Sequence, residues 1–85
     1  MQPYKVLVSI AILQLGRPSR GERDQILSFL ESLADNPMKP GDYEERDDVG
    51  RPLQIKILGN YAPTYWADHA VKEVKVTKVE KADHR

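Results

Sequence analysis

Between Pro52 and Glu80 three short β-forming runs follow one another, Pro52 to Leu58, Tyr61 to Ala67 and Lys72 to Glu80, separated only by turn residues. Breaks this short leave no room for the crossover that a parallel pair needs, so the runs must form an antiparallel meander. Leu53, Ile55 and Ile57 alternate with Gln54 and Lys56, which gives the first run one apolar face, read as core, and one polar face. Gly59-Asn60 suits a two-residue hairpin loop. Pro63 withholds a ladder donor and predicts an edge position or a bulge in the second run. In the third, Val74 and Val76 keep a period of two that slips before Val79, the signature of an inserted residue.

One amphipathic helix precedes the meander. Ser19-Arg20-Gly21-Glu22 has the spacing in which serine and glutamate satisfy each other's first-turn amides. Ile26, Leu27, Phe29, Leu30, Leu33 and Ala34 recur at helical offsets, and Asn36-Pro37 ends the run. Upstream, Tyr4 to Ser9 reads as a strand with Tyr4, Val6 and Val8 on one face. Ile10 to Leu15 suits either a continued strand or a helical turn, and Gly16-Arg17-Pro18 breaks it. Tyr43 to Arg46 is a short extended arm, and Asp48-Val49-Gly50 a tight turn. The elements therefore predict an α+β fold. One or two helices pack on a twisted, mainly antiparallel sheet with an N-terminal strand and a C-terminal three-strand meander.

With 85 residues, 40% of them hydrophobic, the chain supports one modest core, so residues 1–85 are read as a single domain. The absence of cysteine excludes disulfides, thiolate chemistry and cysteine-based zinc sites. The longest apolar run, Val6 to Leu13, is too short to span a bilayer. These features predict a soluble, cytoplasmic protein that needs no membrane, metal or cofactor. A net charge of zero argues against binding nucleic acid through bulk electrostatics. Acids crowd Asp42 to Asp48, whereas Lys72, Lys75, Lys78, Lys81 and Arg85 dominate the last stretch.

The chain resembles the RelE/ParE superfamily of bacterial toxin–antitoxin proteins. The resemblance is carried by Tyr4-Lys5-Val6, by the helix end Leu33-Ala34-Asp35-Asn36-Pro37, and by Leu53-Gln54-Ile55-Lys56-Ile57, Tyr61, Tyr65-Trp66 and Val74-Lys75-Val76. It covers nearly the whole chain and rests on element order and strand pattern. It implies a RelE/ParE-like toxin of a toxin–antitoxin system, with plasmid stabilisation as the associated role. Such a protein acts mainly through protein binding and pairs with an antitoxin.

The alternative that the resemblance implies is an mRNA-cleaving, ribosome-dependent endoribonuclease with a reduced catalytic set. Such chemistry needs an acid, a base and cations for the developing charge. Lys56 matches the family's strand lysine, and Lys81, His84 and Arg85 lie where its C-terminal group is found. Lys56 and His84 are thus the candidate catalytic pair, and Lys56, Lys78, Lys81 and Arg85 the candidate RNA contacts. The family's arginine at the start of the next strand has no counterpart, since Tyr61-Ala62-Pro63 stands there. His69 beside Asp68 reads as an exposed turn residue, and joining both to His84 as a metal site would require distant segments to converge without any characteristic spacing. Of the neighbours Tyr65 and Trp66, which must face opposite ways, one is expected in the core and the other at a partner contact.

Overall fold

The computed structural model describes residues 3–8 and 19–82. Ile10 to Leu15 lie outside them, as do Asp83, His84 and Arg85. The described chain forms β1 (Lys5–Val8), α1 (Arg20–Asp35), β2 (Tyr43–Arg46), β3 (Pro52–Ile55), β4 (Tyr61–Asp68) and β5 (Glu73–Lys81). The five strands make one sheet in the order β1-β5-β4-β3-β2. β3, β4 and β5 are the expected meander, β2 extends it antiparallel to β3, and β1 lies parallel to β5.

α1 starts where its capping signal stands. Ser19 Oγ accepts from the Glu22 amide at 3.1 Å while Glu22 Oε1 accepts from the Ser19 amide at 2.8 Å. Its end is tied to the sheet, because the Tyr4 amide donates to the Ala34 carbonyl at 2.9 Å. Ile26, Phe29, Leu30 and Leu33 are buried against Tyr61, Tyr65, Val74, Val76 and Val79, with Tyr4, Val6 and Val8 packed around them. Leu27, placed on the apolar stripe by its spacing, sits at the margin and is exposed.

The slip in the valine pattern is a bulge. Thr64 faces Lys78 and Tyr65 faces Val76, so Thr77 is the extra residue on β5. That single insertion returns Val79 to the helix side, where it is buried like Val74 and Val76.

Pro63 lies in a central strand, flanked on both sides, instead of at an edge, and it is buried one residue from the bulge. It also explains why β3 stops at Ile55 and not at the expected Leu58. The Lys56 amide donates to the Pro63 carbonyl at 3.1 Å, but Pro63 has no amide to return. The Ile57 amide donates instead to Asp42 Oδ2 at 2.7 Å. Pairing resumes only at Leu58 and Tyr61, which close the Gly59-Asn60 hairpin with bonds of 2.8 and 3.1 Å. Gly59 adopts φ +60, which permits the primed turn that follows strand twist.

Candidate functional site

Strand register decides which side chains share each face of the sheet. Tyr65 meets Phe29 of α1 edge to face at 5.5 Å, so the Tyr61, Pro63 and Tyr65 side of β4 is the helix side. Gln54 pairs with Tyr65 and Ile55 with Thr64. Gln54, Lys56 and Leu58 therefore belong to the helix side, and Leu53, Ile55 and Ile57 to the open side. This reverses the expectation that the aliphatic triplet is core. The triplet is half-buried, in a sheet face that α1 does not cover.

The open face holds a cavity of about 320 Å³, bordered by Tyr43, Glu45, Ile55, Thr64, Lys78 and Glu80, with Lys81 at its end. Tyr43 is 60% exposed, large for an aromatic ring on a strand, and stands ready for contact. Lys78 Nζ pairs with Glu80 Oε1 at 2.6 Å. The hydrogen bond that Lys78 donates to Glu80 holds its ammonium above the usual range, against the opposing effect of burial, with the Glu80 and then the Glu45 charges adding to the rise. The cation is thus held on by its own neighbours.

Lys56 does not line this cavity. Its Nζ lies 3.6 Å from Asp42 Oδ1, on the helix side of the register. Lys81 pairs across the sheet with Tyr61 and borders a shallow recess with Glu22 and Asn60. The Glu22 carboxyl is held below the usual range chiefly by the Ser19 amide, then by the Asn60 and Ser19 side chains, and least by the charge of Lys81. Lys78 and Lys81 are thus brought to one cavity and Lys56 to another surface, while His84 and Arg85 lie outside the described residues. Among the described residues no three His, Asp or Glu side chains cluster as a metal would require.

His69 occupies the turn after β4, as read, and its Nδ1 lies 2.7 Å from the Tyr4 hydroxyl. Asp68 ends β4 and binds Lys75 at 3.1 Å; that hydrogen bond first, with the Lys75 charge and the Ala70 and Val71 amides, holds its carboxyl below the usual range. Tyr65 is the buried member of its pair and Trp66 the accessible one. The Arg51 guanidinium lies 4.0 Å from the Trp66 ring centroid, and Lys75 Nζ lies 5.1 Å from it.

A second groove, of about 350 Å³, runs between the α1–β2 connector and the start of β3. Its residues come from positions 37–40, 51–54 and 65–69. No spacing in the sequence joins these three segments. The only advance sign was the expectation that one of Tyr65 and Trp66 would face a partner.

No protein-family model matches the chain, and no curated protein sequence does. Solved structures do. The archaeal RelE–RelB complex from Pyrococcus horikoshii OT3 contains a chain that matches with a TM-score of 0.80 at 17% identity, over 98% of this chain and 99% of that one. A chain of the RelBE2 toxin–antitoxin complex from Mycobacterium tuberculosis matches with a TM-score of 0.71 at 19% identity, over 94% of this chain and 99% of that one. No helix among the described residues is long and apolar enough to cross a membrane. At these identities the likeness is one of architecture, and it extends over nearly every residue: this chain has the fold of the RelE-like toxins.

Proposed function

We propose that this chain is the toxin component of a bacterial, cytoplasmic toxin–antitoxin pair, and that it acts mainly by binding protein surfaces, its antitoxin among them. One observation carries the reading. The uncovered sheet face is a half-buried aliphatic strip, Leu53, Ile55 and Ile57; of the cations proposed to act on RNA, Lys78 at its cavity is held by Glu80, and Lys56 lies on the other side of the sheet, held by Asp42. Apolar surface of this kind gains from a protein partner. Cleaving RNA instead asks for cations free to meet a phosphate. Both solved structures named above are toxin–antitoxin complexes, which supports pairing.

The test is expression in a bacterial host with and without the product of the adjoining reading frame, with calorimetry on the purified pair. Growth arrest relieved by the neighbour, together with saturable binding, is the expected result. The nuclease reading, with Lys56 and His84 as catalytic pair and Lys78, Lys81 and Arg85 on the RNA, predicts that a Lys56→Ala/His84→Ala variant loses toxicity. On the binding reading that variant stays as toxic as the wild type.

A further inference from the structure

The groove beside the α1–β2 connector differs from the open-face cavity in its charge. Pro37, Met38 and Pro40 form one wall, and Pro52, Tyr65 and Trp66 the other. Lys39, Arg51 and His69 supply the basic groups, and no carboxylate lines it. In a chain with zero net charge that asymmetry is local.

Lys39 and Arg51 can only donate hydrogen bonds. Lys39 Nζ reaches only the Ser32 hydroxyl at 3.4 Å and the Phe29 ring at 5.2 Å, and has no carboxylate partner among the described residues. Arg51 commits Nε to Asp47 at 3.4 Å, and its two terminal nitrogens have no partner among the described residues. The Trp66 indole N–H has none there either. With Lys39 held only by a long bond to one hydroxyl, and the Arg51 terminal nitrogens and the Trp66 N–H without acceptors among the described residues, the groove calls for a ligand rich in acceptors and negative charge. The walls call for something apolar beside it, and exposed Met38 is a side chain that adapts its shape to an occupant. The groove is braced from below, where the buried Tyr65 hydroxyl donates to the Lys39 carbonyl at 3.0 Å.

We infer that this groove receives an acidic peptide segment of a partner protein, seating one apolar side chain between the prolines and Trp66 while its carboxylates meet Lys39 and Arg51. The inference rests on the reading of the chain as a protein-binding module. A peptide fits better than a nucleic acid because the Trp66 ring already carries the Arg51 guanidinium and lies close to Lys75, which leaves its face poorly placed to stack on a base.

Trp66 is the sole tryptophan, so its emission reports the groove directly. The probe is a capped pentapeptide, EELEE, titrated to about 1 mM against the full chain. A saturable emission change is expected, weakened about tenfold or more by Lys39→Glu or Arg51→Glu. Neither the lysine counterpart KKLKK nor oligouridylate should produce it. The milder Arg51→Gln, with an unchanged melting curve, separates lost affinity from lost structure.

No saturable change with EELEE, an equal change with KKLKK, tighter binding of oligouridylate, or indifference to the charge reversals would each overturn the inference. Calorimetry of the wild-type chain with the neighbouring gene product keeps the two readings apart. Pairing without EELEE binding sinks the groove alone, whereas EELEE binding without any pairing sinks the antitoxin reading alone.

Discussion

Replacing Tyr65 with phenylalanine removes one oxygen from beneath the acceptor-seeking groove, and its cost should change sign with pH. At neutral pH the hydroxyl donates to the Lys39 carbonyl at 3.0 Å. A net hydrogen bond of this kind is worth about 1 kcal/mol, which the variant should lose. Burial, helped by the negative charge of Asp42, pushes the phenol from its ordinary value near 10 up to about 12. The folded chain therefore keeps a proton that the unfolded chain gives up. Above pH 10 the unfolded state binds fewer protons, so stability falls as pH rises toward 12 and is fully present only below 10. Two units at about 1.4 kcal/mol each set a ceiling of about 3 kcal/mol on the lost stability, which solvent screening and the half-complete titration at pH 12 bring down to about 2 kcal/mol. Tyr65→Phe has no such loss. Lysine titration is common to both chains and cancels in their difference. Urea denaturation followed by circular dichroism from pH 7 to 12 should show the wild type ahead by about 1 kcal/mol at pH 7. The curves should cross near pH 11, with the variant ahead at pH 12. A difference that stays constant over the whole range would refute the argument.

Leu33 is fully buried between α1 and the sheet, so Leu33→Ala should cost about 2–5 kcal/mol in urea denaturation, a large share of the roughly 4–13 kcal/mol expected for a domain of this length. A loss below about 1 kcal/mol would mean that the helix is not packed as described. A methyl group on Gly41 would run into the backbone of Ile55, against which Asp42 also donates, so Gly41→Ala should lower the melting temperature and loosen β2, read as faster amide exchange at Tyr43 and Glu45. Exchange unchanged at both would argue against that close approach. Because Asp68 is held below its usual range by Lys75, its contribution is present above the unfolded value near 4 and disappears as pH falls through the folded one. Asp68→Asn should flatten the acid limb of the stability curve, and an unchanged limb would contradict the pairing.

How far the fold could be read from the chain differs from element to element. The α1 start was legible because Ser19 and Glu22 satisfy each other within one turn, whatever surrounds them. The β5 bulge was legible because burial of Val74, Val76 and Val79 together is incompatible with an unbroken period of two. The orientation of β3 was not. Its triplet Leu53, Ile55 and Ile57 is more apolar than Gln54 and Lys56, yet burial is decided by neighbours. β4 presents Tyr61, Pro63 and Tyr65 to α1, and register then carries Gln54 and Lys56 to that side. The same fact separates Lys56 from Lys78, a relation that neither residue's local sequence contains. The second groove could not be found by spacing at all, since it exists only when the connector, the β3 start and the β4 end are brought together.

The pairing of β1 with β5 has a consequence for how the protein comes into being. Of the described strands β5 comes last in the sequence, yet it sits inside the sheet, between β4 and β1, which comes first. While the chain is still emerging from a ribosome, β1 has no strand to lie against, and α1 lacks Val74, Val76 and Val79 beneath it. Contacts between segments far apart in sequence are slow to form, because the loop between them must close first. A nascent or prematurely ended chain that stops before Val79 is therefore an unfolded one, open to proteases and without a formed surface to offer. Whatever this fold binds, it can bind only once Val79 has been made and has left the ribosome.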